Sequence, residues 1–354
     1  MAHLILTATD VHCLSTGAGH PVYGIVTKRL SSPTVGGMMT RPQILQTGPY
    51  PAWDQEPLDE RFTMHRLFEA PDRAAFLAQH GPAVRGIATR GELGADAAMI
   101  AACPRLEIVS VYGVGFDAVD LEACRARGIR VTNTPDVLTG DVADLGVAMM
   151  LAQSRGMIGA DRWVRDGSWA SKGLYPLQRR VWGKRVGILG LGRIGYEVAR
   201  RLEGFDIQIS YGARAPHDKA HPGWQFVADP VSLAAQSDIL FVTLAASAAT
   251  RHIINREVIE SLGPEGLLIN ISRASNIDEE ALLDALKTRR LGAAALDVFE
   301  GEPALDPRFL DLDNVLLQPH HASGTMETRR AMGQLLRDNL AAHFAGQPLP
   351  AAVL

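Results

Sequence analysis

Three short polar segments follow apolar, strand-like stretches in the second half of the chain and contain an arginine, a carboxylate and a histidine. Arg273 ends the stretch NISR, Glu302 lies in DVFEGEP, and His320 follows Pro319 in NVLLQPH. In open α/β sheets ligands bind at the carboxyl ends of the strands, so these side chains are expected to converge. An arginine can bind a carboxylate or polarise a carbonyl, and a histidine transfers protons near neutral pH. Taken singly, each also has an ordinary explanation as a strand-end contact, a solvated turn residue or a loop histidine.

A glycine-rich turn upstream is typical of a dinucleotide site. In VGILGLGRIG a strand runs into G-x-G-x-x-G and then into a helix predicted over residues 196–202. The first glycine allows a tight turn, the second lets the backbone approach a pyrophosphate, and the third lets helix and strand pack closely. The helix N-terminus presents N–H groups and a partial positive charge to the phosphates. The predicted cofactor contacts in this turn are Gly190, Leu191, Gly192, Arg193, Ile194 and Gly195.

The end of the next predicted strand indicates which dinucleotide is used. An NAD site usually carries a carboxylate about 20 positions on, which binds the ribose 2′-hydroxyl. Here the strand ends in ISYGARA, with Ala213, Arg214 and Ala215 at its end, and Asp218 lies too far along, beyond Pro216. The guanidinium of Arg214 suits the 2′-phosphate of NADP(H). NADP(H) is therefore favoured and NAD(H) stays open, because an exposed arginine also occurs without a function.

Two series of alternating strands and helices are predicted to position these segments. The first series comprises strands at residues 84–89, 106–111 and 129–133 and helices at residues 95–103 and 121–128. The second comprises six strands, at residues 185–189, 207–211, 239–243, 267–271, 293–296 and 315–317. Strands separated by helices of this length imply βαβ units and parallel sheets. The sequence therefore predicts an α/β protein whose second half is a Rossmann domain.

Two further helices are predicted outside this alternation. Residues 142–154 are strongly apolar, which is typical of a helix buried on all sides, either in the core or against a second copy of the chain. Residues 325–344 have the pattern of a long amphipathic helix that follows the last strand. We expect this last helix to return to the first domain.

Composition and charge disfavour several classes of protein. A chain of 354 residues is long enough for two domains, and a net charge of −4 with dispersed basic residues disfavours nucleic acid as a partner. No apolar run approaches the roughly 20 residues needed to span a bilayer. The three separated cysteines form neither a disulfide framework nor a metal-ligand set, so we expect a cytoplasmic protein without a metal. Residues 1–38 show no sustained periodicity and are expected to be a disordered extension.

Together, these motifs resemble the D-isomer-specific 2-hydroxyacid dehydrogenase family. DVFEGEP, NVLLQPH and the upstream GILGLGRIG carry the resemblance, and RHIINREVIESLG and VTNTPDVLTGDVADL are similarly family-like. The likeness covers residues 40–350 and is nearest to the NADPH-dependent glyoxylate/hydroxypyruvate reductase branch, which includes hydroxyphenylpyruvate reductases. It implies the reduction of a small 2-keto acid (glyoxylate, hydroxypyruvate or an aryl pyruvate) to the D-2-hydroxy acid.

The resemblance also implies roles for the catalytic and substrate-binding residues. Arg273 aligns with the arginine that binds the substrate carboxylate and polarises the keto oxygen. Glu302 aligns with the carboxylate that pairs with the catalytic histidine, and His320 aligns with that histidine, the general acid. Val114 and Gly115 align with residues whose backbone N–H groups hold the carboxylate.

The remaining implied contacts belong to the cofactor. Asp297 aligns with the residue that contacts the nicotinamide carboxamide, and Ile271 and Ser272 are assigned to the same site. Two residues depart from the family pattern. Ala274 follows the arginine where the family usually has glycine, and Ala213 replaces a serine often found before the cofactor-selecting arginine.

The family architecture implies two parallel-sheet domains, one flavodoxin-like and one Rossmann, with the substrate cleft between them. The substrate-binding domain is predicted to comprise residues 39–137 and 319–354, and the dinucleotide-binding domain residues 138–318. A homodimer is expected, with residues 142–154 as a candidate contact. Two alternatives stay open: a formate or phosphite dehydrogenase of the same architecture, and a nucleotide-sensing corepressor or scaffold with little turnover. The arginine, glutamate and histidine set favours a 2-keto acid.

Overall fold

Two parallel β-sheets organise residues 41–354, the part of the chain that the computed structural model describes. The strands of the first sheet are β1 (Gln43–Gln46), β2 (Thr63–Arg66), β3 (Gly86–Arg90), β4 (Ile108–Tyr112) and β5 (Arg130–Thr132). Those of the second are β6 (Arg185–Leu189), β7 (Gln208–Gly212), β8 (Gln225–Phe226), β9 (Ile239–Val242), β10 (Leu267–Asn270), β11 (Ala293–Leu296) and β12 (Val315–Leu317). The predicted fold class is confirmed. The expectation for residues 1–38 lies outside the described residues.

The first sheet has the strand order β2-β1-β3-β4-β5, which is the flavodoxin-like arrangement. Four helices connect its strands: α1 (Ala52–Arg61), α2 (Arg73–His80), α3 (Ala97–Ala102) and α4 (Leu121–Ala126). The side chains of Asp72, Asp96 and Asp120 accept backbone N–H groups at the starts of α2, α3 and α4, which satisfies donors that the helices leave unpaired. Because all five strands of this sheet run parallel, the loops that follow them meet at one edge of the sheet.

Three helices lead from the first sheet to the second: α5 (Thr139–Ser154), α6 (Met157–Arg165) and α7 (Ser168–Lys172). One side of α5 packs on the second sheet and buries Val142, Ala143, Gly146, Met149 and Met150. Of the two environments expected for this helix, burial within a single chain is wrong, because Asp144 and Ala148 on its other side are exposed. Burial against a second copy of the chain stays a prediction. The apolar composition of the helix indicated burial without indicating which side is covered.

The second sheet has the order β12-β11-β10-β9-β6-β7-β8, with helices α8 (Arg193–Leu202), α9 (Pro230–Ala235), α10 (Arg256–Leu262) and α11 (Glu279–Lys287). The direction of winding reverses between β6 and β9, and ligands bind in the crevice that such a reversal opens. The sheet has seven strands rather than the predicted six. The additional strand, β8, has only two residues, so it is too short for a periodic pattern. Helix α8 begins at Arg193, three residues before the predicted start, because the glycine turn leads directly into it.

The last helix, α12 (Met326–Phe344), lies against the first sheet. The hydroxyl of Tyr112, the last residue of β4, donates to the backbone carbonyl of Arg329 on α12 over 2.7 Å. Beyond the helix, Ala352 pairs with Thr132 of β5 in an antiparallel bridge. The C-terminal residues therefore extend the edge of the first sheet. Between residues 41 and 354, no helix is long and apolar enough to cross a membrane.

Candidate active site

The glycine turn between β6 and α8 has the shape that a pyrophosphate requires. Gly190 has a φ of 106°, a conformation that favours glycine, and a Cβ on Gly195 would lie 2.1 Å from the carbonyl oxygen of Gly190. No described atom lies within 4 Å of the Cβ position of Gly192, so its backbone is open to a ligand. Among the described residues no side chain caps α8, so its first N–H groups are free to bind an anion. The turn therefore fits a dinucleotide.

The other predicted residues of this turn differ in exposure. Leu191 is buried, Ile194 is half-buried, and Arg193 is exposed and pairs with Asp136 over 2.8 Å. Asp136 lies between β5 and α5, so this ion pair connects the glycine turn with the segment that joins the two sheets. Sequence reasoning missed this contact, since nothing in the local pattern relates residues 136 and 193.

The end of β7 presents the residues that were predicted to select the cofactor. β7 ends at Gly212, Ala213 is half-buried, and Arg214 and Ala215 are exposed. Arg214 forms no ion pair with a carboxylate anywhere between residues 41 and 354, so its guanidinium is available to an external anion. Asp218 is also exposed and lies farther along the loop. The cofactor-selecting position is therefore cationic at the end of the strand.

His320 and Glu302 form a hydrogen-bonded pair. Nδ1 of His320 lies 2.7 Å from Oε2 of Glu302, and Oε1 of Glu302 accepts the backbone N–H of Phe299 over 2.7 Å. The hydrogen bond with Glu302 holds the pKa of His320 above its ordinary value, although burial acts to lower it. Burial acts to raise the pKa of Glu302, but His320 and the Phe299 N–H keep it below its ordinary value. The pair therefore favours an imidazolium that is oriented through Nδ1, leaving Nε2 for a substrate.

The backbone at His320 is also unusual. Its φ is 50°, in the left-handed region that residues other than glycine seldom adopt. Such conformations persist where surrounding contacts hold them, and they concentrate at functional sites. The two residues that follow, His321 and Ala322, supply those contacts, because their N–H groups donate to the two carboxylate oxygens of Asp297 over 2.7 and 3.0 Å.

Asp297 lies at the end of β11 and is 1% exposed. Burial raises its pKa, while the two backbone donors act to lower it. In this structure the carboxylate anchors the histidine loop, and a nicotinamide carboxamide could use only its remaining lone pairs. Ile271 and Ser272, also assigned to the cofactor, are buried directly after β10, and the Ser272 hydroxyl donates to Asn270 over 2.7 Å.

Arg273 extends from the end of β10 toward the loop that follows β4 in the first sheet. Its Nε donates to both oxygens of Asp117 over 3.1 and 3.3 Å, and its Nη1 donates to the backbone carbonyl of Ser272 over 2.8 Å. A Cβ on Gly115 would lie 1.4 Å from Nη2 of Arg273. The guanidinium therefore occupies the space that a side chain at position 115 would need.

Two hydrogen bonds with residues that follow β5 position the loop of Val114 and Gly115. The side-chain amide of Asn133 donates to the carbonyl of Val114 over 2.8 Å, and the N–H of Gly113 donates to the hydroxyl of Thr134 over 3.0 Å. Both Val114 and Gly115 are half-buried. The loop thus presents its backbone beside the Arg273 guanidinium.

The structure brings the predicted catalytic residues together. Arg273 follows β10, Glu302 follows β11 and His320 follows β12, which are neighbouring strands of the second sheet. The charge of Arg273 influences the pKa of both Glu302 and His320, lowering each. A cation, a carboxylate and an imidazole thus lie near one another beside the loop of Gly115. This set can bind a carboxylate, polarise a carbonyl and transfer a proton.

Known proteins share both the sequence and the fold. Residues 147–322 match the family described as D-isomer specific 2-hydroxyacid dehydrogenase, NAD binding domain. A hydroxyphenylpyruvate reductase of Plectranthus scutellarioides is 47% identical over 86% of this chain and 97% of its own length. A glyoxylate/hydroxypyruvate reductase of Arabidopsis thaliana is 44% identical over the same shares.

Two solved structures are also similar. A 2-hydroxyacid dehydrogenase of Ketogulonicigenium vulgare Y25 is 75% identical with a TM-score of 0.83, covering 89% of this chain and 99% of that one. An NADPH-dependent glyoxylate/hydroxypyruvate reductase of Sinorhizobium meliloti, in complex with NADP and malonate, is 39% identical with a TM-score of 0.81 and covers 89% and 97%. With this coverage and the site geometry above, the chain belongs to the D-isomer specific 2-hydroxyacid dehydrogenase family, whose members are nicotinamide-dependent oxidoreductases acting on CH–OH groups.

Proposed function

We propose that this protein reduces a small 2-keto acid to the D-2-hydroxy acid with NADPH, using Arg273, Glu302 and His320. The observation that carries the proposal is the convergence of these three side chains after neighbouring strands, with Arg273 against the Gly115 backbone. A keto acid has a carboxylate and a carbonyl on adjacent carbons. A guanidinium beside backbone N–H groups and a proton-donating imidazole suit that pair of groups.

Each side chain has a defined task in this mechanism. When bound, the nicotinamide supplies the hydride that adds to the keto carbon. Arg273 holds the substrate carboxylate together with the N–H groups of Val114 and Gly115, and its positive charge stabilises the oxygen as negative charge grows there. His320 donates its Nε2 proton to that oxygen while Nδ1 stays bonded to Glu302. Glu302 thereby orients the imidazole and keeps it protonated.

Separate groups of residues are assigned to the parts of the cofactor. We assign the pyrophosphate to the turn from Gly190 to Gly195 and the 2′-phosphate to Arg214, flanked by Ala213 and Ala215. Asp297, Ile271 and Ser272 are assigned to the nicotinamide end. Support for NADPH comes from Arg214, which is exposed and forms no ion pair with residues 41–354, and from the Sinorhizobium meliloti relative, which is NADPH-dependent.

The first experiment measures substrate and cofactor together. Oxidation of NADPH or NADH is followed by absorbance with glyoxylate, hydroxypyruvate and 4-hydroxyphenylpyruvate, the acids suggested by the names of the relatives. We expect turnover with NADPH to exceed turnover with NADH, and the acid with the highest kcat/KM identifies the substrate class. Oxidation of formate or phosphite with no reduction of a keto acid would contradict the proposal.

A second experiment separates an enzyme from a nucleotide-binding scaffold. His320→Gln should abolish reduction, since Gln cannot donate a proton as imidazolium does, and should leave NADPH binding intact when binding is measured by fluorescence. Arg256→Gln is a control, because Arg256 is an exposed residue of α10 that pairs with Asp284 of α11, and neither helix carries a residue assigned to the cofactor or to proton transfer. Binding of NADPH by the wild type without turnover of any acid would favour the scaffold.

The domain boundaries remain a proposal as well: residues 39–137 with 319–354 bind substrate, and residues 138–318 bind the dinucleotide. Support comes from the contacts of α12 and Ala352 with the first sheet and from those of α5 with the second. Limited proteolysis followed by mass spectrometry tests the boundaries. Cleavage concentrated near residues 137 and 319 is expected, and cleavage within β6–β12 would contradict them.

We also propose a homodimer in the cytoplasm. The exposed side of α5 continues into a segment, residues 157–182, that leaves large apolar side chains open to solvent: Met157, Ile158, Val164, Trp169, Leu174, Leu177 and Trp182. Exposed apolar area of this extent is typical of an interface. Light scattering after gel filtration should give twice the chain mass, and a monomer would contradict the dimer. Cys103 and Cys124 are buried and form no disulfide within residues 41–354, which suits a reducing compartment.

A further inference from the structure

One ion pair joins the two sheets at the centre of the site. Asp117 lies in the loop after β4 of the first sheet, and Arg273 follows β10 of the second. Nε of Arg273 lies 3.1 Å from Oδ1 and 3.3 Å from Oδ2 of Asp117, and the two side chains are 25% and 35% exposed, respectively. The two residues are 156 positions apart in the chain, so only the packing of the sheets brings them together.

The nitrogens of Arg273 are used unequally. Nε is bonded to Asp117, and Nη1 is bonded to the carbonyl of Ser272. Nη2 faces the Gly115 backbone and lies 3.8 Å from the position of a Cβ on Gly91. The guanidinium is therefore held along one edge, and Nη2 with the second hydrogen of Nη1 is left for a ligand.

We infer that Asp117 is a positioning residue that holds the Arg273 guanidinium in the orientation needed to bind the keto acid. The inference rests on the proposed function, in which Arg273 binds the substrate. An arginine side chain has many rotamers, and a fixed planar fork loses less entropy when it binds a carboxylate. Because Asp117 belongs to the first sheet, the same contact sets the distance between the guanidinium and the carboxylate-binding loop.

This ion pair contributes little to folding by itself. Solvent screens a partly exposed pair, so such a pair typically adds little to the stability of the fold. The Arg85–Glu107 pair provides a control for the loss of an ion pair beside β4. Glu107 directly precedes β4, accepts Nε and Nη2 of Arg85, and its side chain is 38% exposed. It also lies 3.2 Å from Nε2 of His343 on α12, so its removal is the more demanding test of stability. Its arginine directly precedes β3 and is far from the catalytic set along the chain.

The test compares Asp117→Asn and Asp117→Ala with Glu107→Gln and Glu107→Ala. Asn keeps one neutral acceptor and Ala keeps none, so kcat/KM for glyoxylate should fall about tenfold in the first and about a hundredfold in the second, mostly through KM. The Kd for NADPH should match that of the Glu107 variants, and the Tm should fall no further than theirs, because Glu107 makes more contacts. Oxalate, an anion that cannot be reduced, should bind the NADPH complex more weakly in both Asp117 variants.

Three results would overturn the inference. The KM and the oxalate Kd could be unchanged, or the activity could fall only as far as the Tm falls. A lower KM would mean instead that Asp117 competes with the substrate for Arg273. A wild type that reduces no keto acid would refute the proposed function instead. The oxalate measurement would then still decide whether Asp117 positions Arg273 for an anion.

Discussion

Replacing Gly115 with alanine tests the position of Arg273 without removing a polar group. The added Cβ would lie 1.4 Å from Nη2 and 2.6 Å from Cζ of Arg273, whereas ordinary contact begins at 3.4 Å. The guanidinium would have to retreat by about 2 Å, and a misplacement of about 1 Å in a catalytic group can cost on the order of 100-fold in rate. We therefore expect kcat/KM for the keto acid to fall at least about 100-fold.

The fold should tolerate this substitution. The atoms that collide are the ends of two side chains, Arg273 and Asp117, and their ion pair is partly exposed, so we expect the free energy of unfolding to change by less than about 1 kcal/mol. The N–H of residue 115 remains in place to bind a carboxylate. Gly204→Ala is the matched control, since no described atom lies within 4 Å of a Cβ at that position.

The assay measures kcat/KM with NADPH and glyoxylate, the Kd for NADPH by fluorescence, and the Tm. The control variant should match the wild type in all three, and Gly115→Ala should differ only in kcat/KM. A Gly115→Ala enzyme with kcat/KM within about threefold of the wild type would refute the assignment of this guanidinium to the substrate, because the displacement required is far larger than catalysis tolerates.

Three further changes have defined outcomes. Glu302→Gln removes the hydrogen-bonded charge that raises the pKa of His320. The reduction needs the imidazolium and declines as pH rises through that pKa, so the decline in kcat/KM should begin at lower pH in the variant. An unchanged alkaline limb of the kcat/KM profile would exclude this role for Glu302. Arg214→Ala removes a charge-assisted contact and should raise the KM for NADPH about 10- to 100-fold, while the KM for NADH changes less than about twofold. Equal effects on the two KM values would contradict the assignment of Arg214 to the 2′-phosphate. Arg337→Ala leaves the carboxylate of Asp54, which is 1% exposed, without its ion-pair partner. The free energy of unfolding should fall by about 3–5 kcal/mol in urea titrations. A change below about 1 kcal/mol would show that the pair acts as a surface contact.

The fold class, the dinucleotide turn and the types of residue available for chemistry could be predicted from the amino-acid sequence. These features depend on local patterns. Alternating apolar strands and helices indicate a parallel sheet, and G-x-G-x-x-G between a strand and a helix indicates a phosphate-binding turn. Arg273, Glu302 and His320 could be selected because each follows a strand, and parallel strands place their carboxyl ends at one edge.

The contacts that position several of these residues became visible only in the folded chain. Three such contacts are the bond of Arg273 to Asp117, the ion pair of Arg193 with Asp136, and the anchoring of the histidine loop by Asp297. Each joins residues from different elements of the fold. A periodic pattern carries no information about such contacts, because they depend on how sheets and loops pack. For the same reason the sequence could not reveal the two-residue strand β8 or the open side of α5. Local rules therefore identify the chemical groups, and long-range packing determines their orientation and protonation.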